Sequence, residues 1–186
     1  MQEYQNAERK ILLQVARTTI ERYIISNELQ AIELADYPEQ LGLNRACFVT
    51  LHLRGHLRGC IGSLQAHRPL VIDVAQNAFN AAFKDPRFKP LDATEYPEIK
   101  LEISVLSPPK PIEFRTETDL INKLRPGVDG LILYDKGHRA TFLPSVWDEV
   151  PDPLTFLQHL KAKAGLPTNY WSDSIKADNY TTELIS

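Results

Sequence analysis

No stretch of the 186-residue chain approaches the ~18 consecutive apolar residues of a membrane-spanning helix. The opening residues, MQEYQNAERK, are polar and lack the apolar core of a secretory leader. Cysteine is scarce, with only Cys47 and Cys60 present, which argues against a disulfide framework and for a reduced, cytoplasmic protein. CxxC, HExxH and a glycine-rich phosphate loop are all missing. Without three clustered cysteines the chain cannot itself be an iron–sulfur radical enzyme. A dominant charge sign is lacking too: the formal net charge is -3 and the pI about 6.0, with no basic stripe of the kind nucleic-acid binders carry. Neither a membrane nor a nucleic acid is therefore an expected partner.

What is present is ordinary globular composition, 43% hydrophobic and 24% charged. A chain of this size buries roughly 70% of its unfolded surface and needs no staples. We expect one domain over residues 1–186, with a smaller appended lobe as an option. Apolar residues at 11, 12, 15, 16, 20, 23 and 24 line one face of a helix over 6–26, with Asn6 as its cap. RPLVIDVAQNAFNAAF reads as a second helix, stopped by Pro86. IKLEISVLS alternates as a half-buried strand, with Lys100, Glu102 and Ser104 on the polar side. A short helix follows Thr116, a second hairpin centres on Gly137, and PDPLTFLQHLKAKAGLP is a helix marked at both ends. The tail from 172 to 186 is weakly strand-like. Helices and strands mix without a βαβ rhythm, so the fold class is α+β.

The hairpin over 46–64 carries the chemistry. With a three-residue loop of Arg54, Gly55 and His56, paired positions sum to 110. Val49, Leu51, Leu53, Leu57, Gly59 and Ile61 then share an apolar face, while Thr50, His52, Arg58 and Cys60 share the other. Cys60 lies opposite Thr50, with Arg58 two residues away and His52 on the diagonal. A cation favours the thiolate, and a thiol beside a base and a cation is the minimum kit for nucleophilic catalysis. Cys47 falls on the apolar face, where a thiol is inert. Equally, a cysteine between glycines serves as a small packing residue, with Gly59 and Gly62 admitting another backbone or a helix.

CFVTL, LRGCIGSL, NAFNAAFKDPRFKPL, LEISVLSPP, DGLILYDKGHRATFLPSVW and FLQHLKAKAGLP, in that order, resemble the segments of the AMMECR family over most of residues 46–171. Bacterial and archaeal members are called AmmeMemoRadiSam system protein A. The resemblance implies an α+β domain with a central antiparallel sheet, flanking helices and a smaller lobe. It also implies the company of a Memo-like protein and a radical SAM protein, and it brings no established activity or cofactor. Its hallmark falls on Leu57, Arg58, Gly59, Cys60, Ile61 and Gly62, its second motif on Asp85, Pro86, Arg87 and Phe88, its third on Glu102, Ile103 and Ser104. The family pattern does not demand histidine at His52.

Asp85 and Arg87 bracket a proline at a helix end, either as a turn cap with its ion pair or as an anion contact beside Cys60. Glu102 is either a solvated strand residue or a partner and proton acceptor for this cluster. His52, His56 and His67 match no known ligand spacing, so no metal site is expected. Two readings follow. In one, Cys60 is the nucleophile of a group-transfer enzyme, with Glu102 or His52 as base and Arg58 and Arg87 orienting an anion; Gly59, Gly62, Asp85 and Ser104 then line its ligand site. In the other, the same surface docks a Memo-like or radical SAM partner without catalysis.

Overall fold

The computed structural model describes residues 3–29 and 31–186. Two compact units emerge: one ends at Leu106 and takes in Glu183–Ser186, the other is Ser107–Thr182. Each has its own four-stranded sheet.

In the first unit, α1 (Asn6–Ser26) buries Leu12, Val15, Ala16 and Ile20 of the stripe expected from the spacing, with Thr19 beside them. Its cap is Gln5, one residue before the expected Asn6, and the Gln5 main-chain nitrogen donates to Glu8 Oε2 at 2.7 Å. A short α2 (Glu39–Gly42) leads into β1 (Cys47–Leu53) and β2 (His56–Gly62). Then come α3 (Leu70–Phe83) and β3 (Ile99–Leu106), and the chain returns late with β8 (Thr182–Ile185) to complete the order β2-β1-β3-β8. Helices α1 and α3 pack together and against one face of this sheet. Val49, Leu51, Ile103, Leu70, Val74 and Ala78 meet there with no solvent exposure, each larger side chain contributing ~1.5–3 kcal/mol by leaving water.

The hairpin β1–β2 uses both registers that its sequence allows. From Phe48↔Gly62 to Leu51↔Gly59 the pairs sum to 110, and Thr50 stands opposite Cys60. Nearer the tip a bulge shifts the pairing to His52↔Leu57 and Leu53↔His56. The loop is therefore two residues, correcting the expected three: Arg54 (φ 52°) and Gly55 (φ 83°) both take the left-handed conformation of a type I′ turn. Arg58 absorbs the extra residue, and Leu57, expected on the apolar face, is 42% exposed.

In the second unit, β4 (Lys110–Pro111), β7 (Lys176–Tyr180), β5 (Gly130–Asp135) and β6 (His138–Phe142) form the sheet in that order. Helix α4 (Glu117–Lys123) is capped by the Thr116 hydroxyl, and α5 (Pro153–Lys163) by Asp152, whose carboxylate accepts from the Thr155 nitrogen at 2.8 Å. Trp147 stacks on Phe156 with ring centres 3.7 Å apart, and its indole N–H donates to the Asp129 carbonyl. Lys161 has no solvent exposure and is neutralised by Glu117.

Candidate functional site

Strand β2 is an edge of its sheet, so main-chain groups on its outer side have no neighbouring strand. At Cys60 a pair of side chains takes that place. The Cys60 N–H donates to Asp85 Oδ2 at 2.9 Å, and Arg87 Nη2 donates to the Cys60 carbonyl at 3.2 Å. Arg87 and Asp85 are themselves joined by a fork, Nε to Oδ1 at 2.9 Å and Nη2 to Oδ2 at 2.6 Å. The Arg87 main-chain nitrogen closes a turn on Asp85 Oδ1 at 3.1 Å. Asp85 is only 4% exposed. Arg87, followed by the main-chain donors, holds its carboxyl well below the usual carboxylate range against the opposing effect of burial.

Arg58 lies on the same strand but points elsewhere. Its guanidinium forks onto Glu95, Nε to Oε1 at 2.8 Å and Nη2 to Oε2 at 2.7 Å, and its side chain is 11% exposed. The third nitrogen, Nη1, is buried and has no partner among the described residues. Glu95 is positioned by a turn in which Asp92 Oδ1 accepts from the main-chain nitrogens of Thr94 and Glu95. The Phe88 ring lies under both guanidinium groups, 5.8 Å from Arg58 and 5.5 Å from Arg87. Arg58, expected to favour the thiolate, and Arg87, expected as a turn-cap ion pair or an anion contact, are thus each paired with a carboxylate.

On the sheet face away from the helices, the register sets Cys60, Thr50 and Glu102 in one row across β2, β1 and β3. The Thr50 hydroxyl donates to Cys60 Sγ at 3.3 Å. Glu102 stands a full strand beyond Thr50, so its backbone is about 9–10 Å from that of Cys60. A base must come within about 3 Å, or one water, of the proton it removes. The expected Cys60–Glu102 partnership is not formed, because Thr50 occupies the place between them. His52 pairs with Leu57 and Lys100 across its strand, and its side chain makes no hydrogen bond among the described residues. The next row holds Gly62, Phe48 and Ser104.

The two glycines of the motif have separate tasks. Gly59 is turned to the helix face, where an added Cβ would stand 2.1 Å from the Ala81 carbonyl oxygen of α3. At Gly62 it would meet the Phe48 ring at 2.3 Å and the Cys47 carbonyl at 2.5 Å. Both permit close approach within the fold.

Asp73, in the first turn of α3, is a feature the sequence reading passed over. It has no solvent exposure, and its Oδ2 accepts from four donors: the Cys47 N–H, the Cys47 thiol, the Ser63 hydroxyl and the Asn77 amide. Arg68 Nε reaches Oδ1 at 2.7 Å. Burial, then the nearby Asp73 charge, pushes the Cys47 thiol well above its ordinary value. An aspartate at a helix start signals only a dipole partner; Arg68 five residues earlier was the available hint of an ion pair.

A family model described as AMMECR1 matches residues 13–185. The chain belongs to the AMMECR1 family. Among its relatives is the protein MJ0810 of Methanocaldococcus jannaschii, 36% identical over 174 residues that span 91% of this chain and 85% of that one. A protein of Methanothermobacter thermautotrophicus is 37% identical over 167 residues, 89% of this chain and 86% of the relative. The crystal structure of an uncharacterized Pyrococcus horikoshii protein, PH0010, superposes with a TM-score of 0.83 at 33% identity, covering 97% of this chain and 91% of that one. Every residue of the Cys60 cluster falls inside the AMMECR1 match. Among the described residues no helix is long and apolar enough to cross a membrane, and no group of three or more His, Cys, Asp or Glu side chains is placed to hold a metal.

Proposed function

We propose that this AMMECR1-family chain is a non-catalytic binding module whose recognition site is the polar face of the first sheet around Cys60, Thr50, Glu102 and Ser104. One observation carries the reading. Arg58 and Arg87, the cations of the motif, are each forked onto a carboxylate, and the thiol's hydrogen-bond partner is the Thr50 hydroxyl rather than a base. Nucleophilic catalysis needs a base within hydrogen-bond reach of the thiol, and among the described residues the Cys60 thiol is hydrogen-bonded only to Thr50. What the face offers instead is recognition chemistry. The Glu102 carboxylate is half-buried and enters no hydrogen bond or ion pair among the described residues, on the face that also carries Ser104, Thr50 and Cys60.

The partner is a Memo-like or radical SAM protein, the company that the family resemblance implies. The meeting place is the cytoplasm, in keeping with two free thiols. Titration calorimetry with a purified Memo-like protein, and then with a radical SAM protein, from the same organism tests this. The wild-type chain binds one of them, and Glu102→Lys weakens that binding by about tenfold or more. Binding of neither, or undiminished binding by Glu102→Lys, overturns the reading.

A further inference from the structure

A second surface lies in the helical layer, on the other side of the first sheet from the Cys60 side chain. Between α1 and α2, residues 27–29 and 31–38 form a strap carrying Glu28, Glu33 and Asp36, with Glu39 opening α2; the sequence from 27 to 42 has no lysine or arginine. All four carboxylates are exposed, and none enters an ion pair among the described residues. The same strap holds two large apolar side chains in water, Leu29 at 51% and Leu34 at 43% exposure.

Where the strap meets the helices there is a pocket. Leu29 and Ile32 of the strap, Thr19 of α1, and Ile72, Ala75 and Gln76 of α3 line a cavity of about 150 Å³. Its polar members are already occupied: the Thr19 hydroxyl donates to the Val15 carbonyl and the Gln76 amide to Asn80 Oδ1. The remaining wall is aliphatic. Such a space suits an apolar side chain with no hydrogen-bonding demand. At about 150 Å³ it falls below the ~300–1,000 Å³ of small-molecule sites and has room for a single apolar side chain.

An apolar pocket with the half-exposed Leu29 in its wall, and with the unpaired Glu28 and Glu33 next in sequence to its wall residues Leu29 and Ile32, calls for an occupant that supplies apolar anchors and positive charge together. We infer that this groove binds an amphipathic, basic helical segment of a partner protein. Apolar residues at one-turn spacing fill the pocket and cover Leu29, and lysines or arginines on the flanks meet Glu28, Glu33 and Asp36. The inference stands independently of the reading of the Cys60 face, since it uses none of those residues.

The test uses the intact chain and a defined probe: a fluorescein-labelled leucine–lysine peptide of about 16 residues with its leucines on one helical face. Anisotropy is read against a scrambled peptide of the same composition. The amphipathic peptide binds more tightly than the scrambled one by about tenfold or more. Leu29→Ser and the double variant Glu33→Lys/Asp36→Lys each remove most of that advantage. Asp148→Lys/Glu149→Lys, which changes the net charge equally at exposed positions outside the strap, leaves it intact. All three variants alter exposed residues, and circular dichroism verifies that each is folded. Equal binding of the scrambled peptide reduces the surface to general charge attraction and overturns the inference. Undiminished binding by the strap variants overturns it too. So does sedimentation showing a wild-type dimer that Leu29→Ser dissociates, because the occupant is then a second copy.

Discussion

Asp85 Oδ2 lies 2.9 Å from the main-chain nitrogen of Cys60 while Arg87, bound to the same carboxylate, reaches the Cys60 carbonyl. Two motifs that stand 25 residues apart meet through main-chain groups, and the side-chain pair continues the sheet by one bridge. This relationship makes the LRGCIG and DPRF segments a structural unit. It leaves the cysteine side chain to the other question, what the face recognises.

Removing Asp85 should therefore loosen the hairpin edge. Asp85→Ala leaves a part-buried N–H and a cation without their acceptor, and a loss of about 2–3 kcal/mol is expected from hydrogen bonds to a charged group. Urea unfolding measures it. Asp85→Asn, which keeps the shape and loses the charge, should fall between wild type and Asp85→Ala.

The same carboxyl sets an acid limb. Its folded pKa lies below the unfolded value of about 3.9, so its contribution is complete above roughly pH 5 and is lost as pH falls through the unfolded value towards the folded one. The stability difference between wild type and Asp85→Asn should accordingly shrink between about pH 5 and pH 2. A constant difference across that range contradicts the assignment.

Cys47 sets the opposite limb. Its folded pKa is raised, so the contribution is complete below the unfolded thiol's value of about 8.5 and is lost as pH rises beyond it. Cys47→Ser keeps a donor to Asp73 and removes the titration. Wild type should lose stability towards pH 10 faster than Cys47→Ser does, as read by urea midpoints at matched ionic strength.

Glycine substitutions separate close approach from backbone freedom. Gly59→Ala drives a methyl into the Ala81 carbonyl of α3, and a cost of about 3 kcal/mol, the upper part of the overpacking range, is expected. Gly42→Ala meets nothing within 4 Å and should be neutral or slightly stabilising. Thermal melts of the two variants measure this contrast.

Much of this was legible before the fold was. The apolar stripe of α1, the alternation of β3 and the cap and stop of α5 follow from periodicity and local chemistry, and the α+β class follows from their mixture. The hairpin was read correctly where a buried face enforces register, from Phe48 to Leu51. It was misread at the tip, where the choice depends on Arg54 adopting the left-handed conformation, which its residue type disfavours. The division into two sheets was equally hidden, because β8 rejoins the first sheet from the far end of the chain. In the site, strand parity brought Cys60 and Thr50 together. It could not foresee that Glu95, 37 residues from Arg58, would claim that guanidinium, since pairing across such a separation depends on where the loop after α3 lands.

The most direct test of the central claim is the rate of iodoacetamide alkylation at pH 7, resolved by mass spectrometry for Cys60 and Cys47 separately, with a cysteine-containing peptide in the same tube. The cations near the thiol are neutralised in pairs and its partner is a hydroxyl. Cys60 should therefore react no faster than the peptide, and Cys47 should stay silent until the chain is unfolded. A Cys60 rate about a hundredfold above the peptide's would identify an activated nucleophile and contradict the non-catalytic reading.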